Sequence, residues 1–165
     1  MSTNNIINNY TAAPSFCANI DASSVSPVSG DGTLYTPIFD NVSSNIGSGY
    51  NASTGIFTVS VPGYYIFTYA ITSEVQTSGG TYAYCYLQIN SLKQALITYP
   101  TRNRLANFFA DGTNYISHSD SIIVQVAVGD TVNVVFCSAG GTKVDGIAGH
   151  VGGAWYSTFN GSKLF

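Results

Sequence analysis

Charge is what this sequence has least of. Only 8% of its 165 residues are Asp, Glu, Lys or Arg, against roughly a quarter in an ordinary globular chain. The five basic residues are Lys93, Arg102, Arg104, Lys143 and Lys163. They supply the several phosphate contacts of a nucleic-acid interface only if nearly all converge, so nucleic acid is not an expected partner. Attraction to an anionic membrane surface fails on the same count. No apolar run approaches the length of a transmembrane helix, so membrane insertion is not expected either. The opening MSTNNIINNYTAAPSF has no basic n-region and no apolar h-region, and does not read as a signal peptide.

Histidine, glutamate and cysteine are also short. The histidines are His118 and His150, and Glu74 is the single glutamate. No C-x-x-C, H-E-x-x-H or G-x-S-x-G occurs, which removes the usual signatures of zinc binding and of a nucleophile elbow. A metal enzyme on a cupin-like scaffold needs His and Glu on inner strands, and the predicted strands lack that set. No catalytic residue and no cofactor are expected, and both histidines read as loop residues. Cys17, Cys85 and Cys137 fall in predicted strands and read as buried thiols acting as small hydrophobes. Three cysteines allow at most one internal pair, and whether Cys85 and Cys137 pair is left open.

What the chain does have is 45% hydrophobic and 13% aromatic residues, which excludes disorder. Its polar remainder is mostly Ser, Thr, Asn and Gly, residues of turns, caps and strands. The everyday helix formers are scarce. An all-β domain follows. Residues 1–15 read as a polar tail or linker and 16–165 as one domain.

Strands are predicted at 36–42, 56–61, 64–72, 82–89, 94–99, 120–128, 131–138 and 154–165, separated by turn chemistry. Asn90-Ser91 and Gly129-Asp130 mark tight hairpins. Residues 43–55 and the Gly-rich run from 139 to 153 read as long loops. Short strands with short turns and no helix predict an antiparallel sandwich or jelly roll of about ten strands. Candidate core residues are Phe57, Tyr65, Phe67, Tyr69, Leu87, Val132, Phe159 and Leu164. Tyr50, Tyr99 and Tyr115 lie near loops and are the candidates for ligand contact. Sequons at Asn9, Asn41, Asn51 and Asn160 are expected by chance in so Asn- and Ser-rich a chain.

The stretch VPGYYIFTYAI poses a packing problem. Pro62 cannot donate to a ladder and Gly63 permits a bend, so one strand ends and another begins there. Along the second strand, Tyr65, Phe67 and Tyr69 share one face, and Tyr64, Ile66 and Thr68 share the other. Neither face is decisively polar. In a two-sheet sandwich one face meets the opposite sheet, and the other needs a cover. A partner subunit supplies it, so Tyr64, Ile66 and Thr68 are the candidate interface.

These residues also carry a resemblance. GIFTVSVPGYYIF resembles the C1q globular-head signature G-x-F-x-x-x-x-P-G-x-Y-x-F, with Val59 where many members have Cys. FDNV with GYN, YCYLQINSLK, DSIIVQVAVGDTVNVVF and YSTFNGSKLF resemble further family segments in order, over roughly 16–165. The composition points to a bacterial, phage or viral member. The resemblance implies a jelly roll of the C1q and tumour necrosis factor superfamily, a compact homotrimer and an extracellular or particle-surface location. It further implies recognition of a protein or glycan ligand, or a structural place in a coat, spore surface or fibre tip. Calcium near the trimer axis would be the one metal to consider, with Asp111 and Asp120 as the loop acids available.

Overall fold

A computed structural model describes residues 12–22, 24–75, 82–93, 114–151, 154–155 and 157–165. Fourteen β-segments and no helix lie among them. They are β1 (Ser15–Asn19), β2 (Ser24–Ser29), β3 (Asn41–Ile46), β4 (Tyr50–Asn51), β5 (Ile56–Thr58), β6 (Gly63–Val75) and β7 (Tyr82–Ile89). There follow β8 (Leu92–Lys93), β9 (Asn114–Val126), β10 (Thr131–Ala139), β11 (Asp145–Ala148), β12 (His150–Val151), β13 (Ala154–Trp155) and β14 (Thr158–Lys163).

Two antiparallel sheets make a jelly-roll sandwich. One runs β2-β11-β6-β14-β1-β3, with β9 on the other edge of β6; the second runs β4-β5-β10-β7-β8. β6 organises the first sheet. β9 pairs with its whole length, while β14 and β11 share its opposite edge in series. Ser157 closes the junction between those two: its Oγ accepts from the Thr72 N–H at 3.1 Å and donates to the Ala148 carbonyl at 2.6 Å.

The core forms where the sheets face each other, and it is aromatic. The Phe16 ring stacks on Tyr50 at 4.7 Å and on Phe57 at 4.9 Å, and meets Phe159 edge-on at 4.8 Å. Phe16 and Phe159 come from the seven-stranded sheet; Tyr50 and Phe57 come from the five-stranded one. Gly161 lies between Phe16 and Phe67 in the register of β1, β14 and β6. With no side chain at Gly161, both rings close over the strand; a Cβ there would overlap them. Phe57, Tyr65, Phe67, Tyr69, Leu87, Val132 and Phe159 are all fully buried here.

Leu164 is not in this core; it is 44% exposed. Phe159 and Leu164 are five residues apart, and a period of two puts them on opposite faces. The Leu164 backbone is nonetheless tied down. Its N–H donates to the Tyr64 carbonyl at 2.7 Å, and the Tyr64 N–H donates to the Phe165 carbonyl at 3.1 Å. Gly63 makes that approach possible at φ 149°, a conformation L side chains rarely adopt, with the last residues against its Cα.

Several sequence expectations change. The 139–153 run contains β11, paired on both edges, because its Gly-rich composition hides a strand held by distant neighbours. The 43–55 run contains most of β3 and all of β4. The 36–42 strand shifts to Asn41–Ile46, and 56–61 shortens to Ile56–Thr58. The 94–99 strand lies outside the described residues. The Asn90-Ser91 hairpin sits as expected, with both residues at positive φ, 50° and 63°. Gly129 also takes a positive φ, 88°, but its turn is not a hairpin: it carries the chain from β9 in one sheet to β10 in the other.

Replacing Gly161 with Ala is expected to destabilise the domain by about 1–3 kcal/mol through overpacking against Phe16 and Phe67. Denaturant titration would read this as a lower midpoint; an unchanged midpoint would remove Gly161 from the account of the core.

Candidate functional site: uncharged rows on the outer face of the large sheet

With Phe16, Ala18, Tyr65, Phe67, Tyr69 and Phe159 turned inward, alternation sends their neighbours to the opposite face. The pairings lay these out in rows across five strands. One row is Ile46, Ser15, Ser162, Ile66, Ile123. The next is Ser44, Cys17, Asn160, Thr68, Ser121, and a third is Asn41, Asn19, Thr158, Ala70, Ser119. No residue in these rows is charged.

The face is graded along β6. Toward the chain ends, Ile123 is 60% exposed and Tyr64 39% exposed, and Tyr64 packs against Phe165 with ring centroids 5.0 Å apart. Ile66, half-buried, sits directly opposite Ile123. Farther along, hydroxyls take over. Thr68 Oγ1 and Ser121 Oγ share a hydrogen bond at 3.1 Å, and Thr72 Oγ1 and Ser117 Oγ share one at 2.8 Å. Thus Tyr64, Ile66 and Thr68 lie together on one outward face, joined by Ile123, which sequence reading did not single out. Its signal was present: Ile122-Ile123 is apolar on both faces of a strand.

Of the expected ligand-contact tyrosines, Tyr50 proves to be a core residue. Tyr50 is buried, its ring stacked on Phe16 and its hydroxyl donating to the Phe39 carbonyl at 3.1 Å. Nearness to a loop in sequence misled, because β4 folds its tyrosine inward. Burial also pushes the Tyr50 hydroxyl well above the usual phenol range. Tyr115 falls within β9, opposite Glu74. Tyr99 and the calcium candidate Asp111 lie outside the described residues. Asp120 is a strand residue rather than a loop acid, and its Oδ1 accepts from the Ser121 N–H at 2.7 Å. Among the described residues no group of three or more His, Cys, Asp or Glu side chains could hold a metal.

The cysteines are free. Cys85 sits opposite Phe136 and Cys137 opposite Tyr84, so their side chains leave opposite faces of the sheet and cannot pair. Cys85 is fully buried, which pushes its thiol well above the ordinary range and away from reactivity.

His118 is not a loop residue. It lies in β9 opposite Ile71, is 2% exposed, and its Nε2 has no hydrogen-bond partner among the described residues. Burial lowers its pKa to about 4, so the imidazole is neutral at physiological pH.

The sandwich and its strand order define an antiparallel jelly roll. The sequence profile of the C1q domain matches residues 16–161, and the chain belongs to that family. Among solved structures, the globular domain of zebrafish complement 1qA is similar at 18% identity and a TM-score of 0.58, covering 92% of this chain and 98% of that one. Murine APRIL at pH 8.5 is similar at 10% identity and a TM-score of 0.56, covering 93% of this chain and 100% of that one. At these identities the likeness shows the shared fold.

The buried imidazole sets a pH dependence. The unfolded chain binds the His118 proton near the ordinary value of 6.5, and the fold accepts it only near 4. Stability should therefore be complete above the ordinary range and fall as pH drops from there to about 4, by roughly 3 kcal/mol. Asp145 works in the opposite sense, since burial raises its carboxyl. Comparing His118→Phe with the parent chain isolates the imidazole: denaturation midpoints across pH 4–7 should slope less in the variant. Equal slopes would show that His118 gains a proton without cost.

Proposed function

We propose that this chain is a non-enzymatic head domain that assembles as a homotrimer through the outer face of its large sheet and presents its loops for multivalent recognition of a protein or glycan. The observation that carries the reading is the apolar end of that face. Ile66 and Ile123 stand side by side on an outward surface, flanked by Tyr64 and Phe165. Contiguous on one outward surface, these apolar and aromatic side chains make a patch of the kind that partners cover.

The absence of charge favours a second copy as the cover. Around a symmetry axis each residue near the axis meets its own copies, so a charge there would meet its like. This face offers none across three rows. The C1q family is one that trimerises and binds ligands. Three identical weak sites on one rigid body would gain avidity without any single strong contact.

Light scattering coupled to size exclusion tests the assembly. The parent chain should elute at three chain masses. Ile123→Asp and Ile66→Asp should run as monomers, because each would bury three uncompensated carboxylates, at several kcal/mol apiece. Ile123 is already exposed in the protomer, so its variant should keep the circular dichroism of the parent. A monomeric parent, or a trimeric Ile123→Asp, would overturn the reading.

A further inference from the structure

We propose that Asn51 is an acceptor site for N-linked glycosylation. Three sequons with described residues compete for that role, and the fold sorts them. Asn160 lies in β14 between β1 and β6, with its Oδ1 buried. The backbone of that sequon is held in a strand paired on both edges, so it cannot bend into a transferase site without opening the sheet. Asn41 is the first residue of β3, paired with Asn19, and the hydroxyl of its sequon partner Ser43 already donates to the Cys17 carbonyl at 3.2 Å.

Asn51 differs on each point. It is exposed, and it opens the tight turn that joins β4 to β5. Its sequon partner Ser53 is exposed as well. The Asn51 Oδ1 accepts from the Ser53 N–H at 2.9 Å, closing an Asx-turn. This local hydrogen bond places the asparagine side chain beside the residue whose hydroxyl the sequon requires. It leaves Nδ2 without a partner among the described residues. Motif, exposure and turn geometry thus coincide at one position, as a surface acceptor demands.

The donor class is a lipid-linked pyrophosphate oligosaccharide. Asn51 Nδ2 forms a bond to the anomeric carbon, whose bond to the pyrophosphate oxygen breaks. The lipid pyrophosphate leaves with the electron pair, and the amide nitrogen gives up one proton. The site belongs to the five-stranded sheet, while the uncharged rows belong to the other, so the attached glycan would leave the proposed trimer surface clear.

The test incubates the folded full-length chain with an oligosaccharyltransferase and its lipid-linked donor, and maps products by peptide mass spectrometry. The glycan mass should be found at Asn51, vanish in both Asn51→Gln and Ser53→Ala, and be absent from Asn41 and Asn160. Ser53→Ala leaves Asn51 in place, so its loss of product separates sequon recognition from damage to the turn. The denatured chain serves as the reference in which Asn41 and Asn160 become substrates. An unmodified Asn51 in the folded chain, or equal modification of Asn41 or Asn160, would overturn the proposal.

Discussion

The packing of Phe16 and Phe67 across Gly161 is the constraint on which the rest of this molecule depends. Three neighbouring strands place these residues in one row, and the missing side chain in the middle lets the two rings close the gap. Phe16 then reaches Tyr50 and Phe57 of the opposite sheet. The stack therefore fixes both the register of β14 within its sheet and the separation between sheets. Aromatic rings stacked or set edge-to-face add to what burial alone contributes. In a chain with so few charges, the sandwich rests on this apolar contact and on backbone ladders.

Fixing one face of the large sheet fixes the other by alternation. Once Tyr65, Phe67 and Tyr69 point inward, Tyr64, Ile66 and Thr68 must point outward, whatever the cost of exposing them. The same logic runs through β9, where Ile122 packs against the core and Ile123 does not. The outer face thus inherits its composition from a strand whose inner residues were chosen for packing. Its neutrality, however, is not inherited: the three rows draw on five strands, and none contributes a charge.

Titratable groups play a small and mostly negative part. Cys85 and Tyr50 are held in their neutral forms by burial, and His118 is held neutral by the same cause acting in the opposite direction. None has the geometry of a nucleophile with its base. The polar side chains instead brace the backbone. Asn90 Nδ2 donates to the Asp130 carboxylate at 2.7 Å, and that carboxylate also accepts from the Ala127 N–H. The β7–β8 hairpin and the turn from β9 to β10 are bolted together in this way at one end of the sandwich.

Much of this was legible in the chain alone. Alternation along 64–70 set which residues of β6 share a face, and turn chemistry placed turns at Asn90-Ser91 and Gly129-Asp130; that the second crosses between sheets rather than closing a hairpin was decided by the fold. The scarcity of helix formers gave the all-β class, and the spaced motifs pointed to the C1q family. These are properties of near neighbours, carried by period and dihedral preference. The structure decided the rest. β11 is a strand because β2 and β6 flank it, not because Asp145–Ala148 alternates. The polar first half of β9 is a strand because β6 continues beside it. Tyr50 is core because Phe16, distant in sequence, lies under its ring. His118 is buried for the same kind of reason, and Leu164 is exposed because its parity opposes that of Phe159. A sequence states what each residue prefers locally; which distant strand lies beside it, and so which face is buried, is settled only when the sheets close.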